Sequence, residues 1–92
     1  MENQFTIKVI GDSMIPVLFP NRKYIAKKIT PEMICIGDII VYNKNFKYIV
    51  AHRVINILET NNRIIFSTKG DNNYHPDDYV VFDNEVLGIV CC

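Results

Sequence analysis

The 92-residue chain has no tryptophan, four glycines, four prolines, three cysteines and no net charge, since ten Lys and Arg balance ten Asp and Glu. Each shortage excludes something. With the charges balanced, no overall field draws the chain to nucleic acid or to an anionic surface, and no nucleic-acid partner is expected. Cys35, Cys91 and Cys92 make an odd set without metal-ligand spacing, and neighbours in sequence rarely pair, so reduced thiols are expected and no metal or cofactor. A terminal Cys-Cys also fits lipidation. Met1 to Gln4 carry no basic start followed by an apolar stretch, so no secretory signal is visible. Apolar runs such as Ile39-Ile40-Val41-Tyr42 and Ile64-Ile65-Phe66 fall far short of the roughly 20 residues that span a bilayer. A soluble, cytoplasmic chain without a transmembrane segment is the expectation.

What the sequence does have is 49% hydrophobic residues, enough for one compact core and a single domain over residues 1–92. Apolar and polar residues alternate in Phe5-Thr6-Ile7-Lys8-Val9 and Lys23-Tyr24-Ile25-Ala26-Lys27, the period of half-buried strands. Continuous β-branched residues at 39–42 predict a strand buried on both faces. Further strands are predicted at 47–57, 63–68, 79–82 and 85–90. Asn43-Lys44-Asn45 reads as a hairpin tip, and Thr30-Pro31-Glu32-Met33 as a turn or single helical turn. Many short strands between close turn signals predict an all-β fold, a folded β-sandwich or barrel of mostly antiparallel strands.

Three polar stretches interrupt this pattern: Gly11-Asp12-Ser13-Met14, His52-Arg53 within a strand, and Lys69-Gly70-Asp71. Serine, histidine and aspartate are the components of acyl transfer: the hydroxyl needs a base within reach, and the imidazole needs a carboxylate to fix its tautomer. Each also has a plain structural reading. A serine after Gly-Asp is often a turn residue bonding its own backbone, a strand histidine is more often a satisfied side chain than a base, and Gly-Asp-Asn-Asn is ordinary turn composition.

The local sequence favours chemistry. Gly11-Asp12-Ser13-Met14-Ile15-Pro16-Val17-Leu18 resembles the nucleophile segment of the signal peptidase I superfamily, a serine followed by methionine and, two residues later, proline. Ile36-Gly37-Asp38-Ile39-Ile40-Val41-Tyr42, Val50-Ala51-His52-Arg53-Val54-Ile55 and Thr68-Lys69-Gly70-Asp71-Asn72-Asn73 resemble its other segments, in order, from residue 11 to 90. Bacterial housekeeping members and self-cleaving repressors use a lysine base; His52 at that point is similar to the Ser-His branch of the endoplasmic reticulum and archaea. The resemblance implies Ser13 as nucleophile, His52 as general base, Asp71 as the first acidic residue of the last segment, and Asp77 as the second, with Asp78 one register step away. It also implies a Ser13 backbone N–H as oxyanion donor, with no hydroxyl at Gly11 for a second. Met14 would wall the substrate and Pro16 stiffen the loop beside it. The implied substrate is an extended precursor peptide with small side chains before the scissile bond, paired to a strand edge.

Anchored relatives in that family carry a transmembrane helix, and none is visible here. A leader peptide of a small ribosomal product is therefore the expected substrate, with a membrane-associated partner or a fragment of a longer anchored protein as alternatives. Ile15, where the family has a polar residue, predicts an apolar cleft entrance. Arg22, Lys23, Lys27 and Lys28 read as a solvated strand face rather than a peptide contact. From a different class, a non-catalytic peptide-binding module would need none of Ser13, His52 and Asp71. A self-cleaving regulatory domain would need a cleavage segment for which residues 1–10 leave little room.

Overall fold

The computed structural model describes residues 3–45 and 47–91; the Cys92 half of the lipidation expectation lies outside them. Seven strands occur among the described residues: β1 (Gln4–Lys8), β2 (Lys23–Lys27), β3 (Ile39–Lys44), β4 (Tyr48–Glu59), β5 (Ile64–Lys69), β6 (Val80–Phe82) and β7 (Val86–Val90). Single 3-10 turns at Pro31–Met33 and Asp83–Glu85 precede β3 and β7. The all-β, antiparallel expectation holds. The strands form one sheet in the order β1-β2-β7-β3-β4-β5-β6, folded over its core rather than closed by hydrogen bonds between β1 and β6.

The core is divided by β3. Ile40 and Tyr42 enter one cluster with Ile34, Val54, Ile64, Phe66 and Val81, while Ile39 and Val41 enter another with Met14, Leu18, Ala26 and Val90. Alternate residues of a strand point to opposite faces, so β3 is the wall between the two clusters, and all four of these side chains are buried. Burying one such side chain is worth roughly 1.5–3 kcal/mol, which is why the sequence spends an unbroken apolar run here. β3 continues to Lys44, paired with Tyr48, so Asn43 and Lys44 belong to the strand and not to the hairpin tip. Along β2, Lys23 and Lys27 alternate outward, and with Arg22 and Lys28 they form an exposed face, as expected.

The longest strand, β4, changes partner along its length. Tyr48 to Arg53 pair with β3, whereas Arg53 to Glu59 pair with β5, with a register shift between Val54 and Asn56. That shift is a bulge, which bends a strand and re-aims its side chains. The handover leaves the β5-side edge of Tyr48 to His52 without a strand partner among the described residues, and His52 stands at its end. Close packing joins β7 to β2: a Cβ on Gly88 would lie 2.3 Å from the Lys27 carbonyl oxygen, so only glycine fits.

Candidate active site

Ser13 lies in the turn that follows β1. Gly11 enters it at φ 84°, a left-handed conformation open to glycine, and the Ile15 N–H donates to the Asp12 carbonyl at 3.2 Å. The Val17 and Leu18 N–H groups both donate to the Met14 carbonyl, at 2.8 and 2.9 Å. Met14 and Leu18, each 2% exposed, drop into the core and anchor this turn beside Ser13.

From β4, His52 reaches toward Ser13, with Nε2 3.0 Å from Oγ. On its far side Nδ1 lies 2.7 Å from Oδ2 of Asp77. A carboxylate accepts, so the Nδ1 proton faces Asp77 and Nε2 is left as acceptor for the serine hydroxyl proton. Asp77 comes from the irregular segment between β5 and β6. Its backbone N–H donates to the Thr68 carbonyl at 2.9 Å, and the Thr68 hydroxyl donates to its Oδ2 at 2.7 Å.

Asp71, expected among the catalytic residues as the first acidic residue of the last segment, bonds to Arg53 and not to His52. Its carboxylate forms a two-pronged pair with Arg53, from Nε to Oδ1 at 2.9 Å and from Nη2 to Oδ2 at 2.6 Å. The Arg53 hydrogen bond holds the Asp71 carboxyl below the usual carboxylate range. Register explains this pairing. His52 and Arg53 are neighbours on a strand, so their side chains leave on opposite faces, and Asp71 lies on the Arg53 side. Asp78 is exposed, and the carboxylate that meets His52 is that of Asp77.

The loop after β5 braces Ser13 through its backbone. The Asn72 N–H donates to the Ser13 carbonyl at 2.8 Å, the Asn72 side-chain amide to the Asp12 carbonyl at 3.0 Å, and the Asp71 N–H to the Met14 sulfur at 3.3 Å. Gly70 is pressed against Ser13: a Cβ there would sit 2.8 Å from the Ser13 carbonyl oxygen and 3.1 Å from its Cβ.

A cleft of about 300 Å3 opens from Ser13 and His52. Ile7, Val9 and Ile10 form one wall, Tyr48 to Ala51 the other, and Met14, Leu18 and Val41 the floor. Met14 thus lines the cleft as expected. Pro16 does not: it is exposed, because the turn that buries Met14 and Leu18 carries the residues between them outward. Ile15 is likewise absent from the cleft walls, so their apolar character comes from β1 and β4 instead.

Sequence reasoning missed Thr68 and Tyr42, whose hydroxyls donate to Asp77, and Tyr79, whose hydroxyl pairs with that of Tyr42, and it gave Arg53 no role. The available signals were slight: Thr68 opens the Gly70-Asp71 segment, and Arg53 follows the base. Among the described residues no cluster of His, Cys, Asp and Glu could hold a metal ion, and no helix is long and apolar enough to cross a membrane. Cys35 and Cys91 are free and exposed.

No protein-family model matches the chain. No solved structure matches it either. Among curated proteins it is 32% identical over 84 residues to signal peptidase I W of Bacillus subtilis, covering 89% of this chain and 44% of that protein. It is also 38% identical over 64 residues to the signal peptidase complex catalytic subunit sec11 of Schizosaccharomyces pombe, covering 60% of this chain and 34% of that protein. The chain therefore spans less than half the length of either relative. Both of these relatives are signal peptidases, and over most of its length the chain is similar to them, on an all-β fold.

Proposed function

We propose that this chain is a serine endopeptidase that cuts a leader or signal-like segment from a precursor peptide. The observation that carries the reading is the line of three side chains, Ser13 Oγ to His52 Nε2 at 3.0 Å and His52 Nδ1 to Asp77 Oδ2 at 2.7 Å, at the end of an apolar cleft. A pure binding groove has no use for a hydroxyl, an imidazole and a carboxylate in hydrogen-bonded sequence.

The geometry supports a two-step acyl transfer. His52 Nε2 takes the hydroxyl proton as Ser13 Oγ attacks the scissile carbonyl, and Asp77 stabilises the imidazolium so formed. The tetrahedral oxyanion needs a donor already aimed at it, for which the Ser13 backbone N–H is the candidate. Collapse breaks the C–N bond, His52 returns the proton to the leaving amine, and an acyl-Ser13 ester remains. Water then repeats the sequence with His52 as base and releases the acid. The unpaired β4 edge at Tyr48 to His52 offers backbone groups to an extended peptide, in the mode of strand addition, and would bring its carbonyl to Ser13.

The test uses purified protein with synthetic peptides carrying small residues before the scissile bond and with leader-bearing precursors encoded beside this chain, followed by mass spectrometry. Cleavage at one site is expected from the wild type. Ser13→Ala and His52→Ala should each lose roughly three orders of magnitude or more in rate while keeping the fold. Cutting by Ser13→Ala at the wild-type rate would remove the assignment, and binding without cutting by the wild type would favour the non-catalytic module.

A further inference from the structure

Behind His52 lies a buried polar cluster that never reaches the cleft. Asp77 Oδ2 accepts from His52 Nδ1 at 2.7 Å, from Thr68 Oγ1 at 2.7 Å and from the Tyr42 hydroxyl at 3.5 Å. The Tyr79 hydroxyl stands 2.8 Å from that of Tyr42. Thr68 and Tyr42 are both 0% exposed, on β5 and β3, among apolar side chains. Valine has nearly the volume of threonine and would enter such a site without losing hydration, so the Thr68 hydroxyl is explained by what it donates to.

We propose that Thr68, supported by the Tyr42–Tyr79 hydroxyl pair, is a positioning residue that aims the Asp77 carboxylate at His52 and thereby sets how strongly the imidazole holds its proton. The proposal rests on the endopeptidase reading given above. Asp77 sits on no strand, so something else must fix its rotamer. Thr68 grips it twice, accepting its backbone N–H at 2.9 Å and donating to its side chain at 2.7 Å. Burial raises the pKa of both Tyr42 and Tyr79 above the usual phenol value, which leaves both hydroxyls protonated at neutral pH. Other charges around the cluster are Asp71, whose field reaches His52, with Arg53 and Lys69 beside it; Asp78 and Glu85 act on Tyr79, and Lys44 lies 4.9 Å above the Tyr79 ring. None of these donates to Asp77. Removing the Thr68 hydroxyl leaves more of the carboxylate charge to the imidazolium, so His52 should hold its proton to higher pH.

The experiment compares Thr68→Val, Thr68→Ser and Tyr42→Phe, each made both in the active chain and with Ser13→Ala. In the Ser13→Ala proteins, NMR titration reads His52 without any need for cutting, and exposed His75 provides the reference. Thr68→Val should move the His52 midpoint up by about half a pH unit, Tyr42→Phe by less because its bond is longer, and Thr68→Ser hardly at all. In the active proteins, Thr68→Val should lower kcat about tenfold with KM nearly unchanged, and move the acid limb of the rate profile the same way. Folded Thr68→Val with an unmoved His52 midpoint overturns the proposal. A moved midpoint in a chain that cuts no peptide leaves the positioning intact and removes the endopeptidase reading instead. Should Thr68→Val fail to fold, Tyr42→Phe carries the same comparison, and an unmoved midpoint there would overturn it.

Discussion

Ser13 and His52 meet at 3.0 Å, yet the two are held by different means. Ser13 sits in a turn braced by backbone: the Asn72 N–H on its carbonyl, and Gly70 packed so closely that a single added carbon would meet that oxygen at 2.8 Å. His52 sits on a strand, and side-chain hydrogen bonds from β3 and β5 fix its carboxylate partner. One side of the site is specified by volume and the other by polarity. A substitution that changes shape should therefore damage the first, and one that changes charge at constant shape should damage the second.

The largest effect should come from Asp77→Asn, which keeps the volume and removes the charge facing Nδ1. An amide in place of the carboxylate favours the wrong imidazole tautomer, a change that costs about 10⁴ in turnover where a serine, histidine and aspartate act together. Peptide cleavage should fall by roughly three to four orders of magnitude, while the protein still unfolds cooperatively in urea. Activity within tenfold of the wild type would show that the Asp77 contact plays no part in the chemistry.

Next is Gly70→Ala, the shape-changing counterpart. The methyl cannot be accommodated without moving the Ser13 carbonyl or the Asn73 amide, which it would approach to 2.6 Å. Overpacking of this kind costs about 1–3 kcal/mol, and a displacement of about 1 Å at a nucleophile can cost roughly 10²-fold in rate. Gly70→Ser should behave like Gly70→Ala, because volume and not polarity is at issue. If both variants cut normally and denature at the wild-type urea concentration, the nucleophile turn is more compliant than its close contacts imply.

How far the sequence revealed this site follows the same division. Strand positions were legible because burial imposes a period: the alternation at Phe5 to Lys8 and Lys23 to Lys27, and the unbroken apolar run at 39–42, appear as β1, β2 and β3. Ser13 and His52 were legible through their neighbouring residues, Met14 and Pro16 in one case and a long strand in the other. The assignment of carboxylates was not. Asp71 and Asp77 are separated by an irregular segment without periodicity, and their partners, Arg53 and His52, differ only in which face of β4 they leave from. Nor could the buried hydroxyls be read, because Tyr42 and Thr68 look like ordinary strand residues until two strands, β3 and β5, bring them to one oxygen.

The smallest expected effect, and the one that separates the two acidic residues, belongs to Asp71→Asn. Arg53 lowers the pKa of Asp71 in the folded chain, so the ion pair adds stability above the unfolded carboxyl value of about 3.9 and loses it as the pH falls below that toward the folded value. With the Arg53 side chain 32% exposed and Asp71 18% exposed, solvent screens much of the attraction, and the net contribution is about 1 kcal/mol or less. Urea titrations at neutral pH should place Asp71→Asn slightly below the wild type, and the gap should close as the pH is taken below about 4. Cleavage should change by less than about tenfold, since Asp71 faces Arg53 and the bracing N–H of Asn72 remains. A loss as large as that of Asp77→Asn would return Asp71 to the catalytic group and show that the field it exerts on His52, rather than the bond it makes to Arg53, is what the chemistry uses.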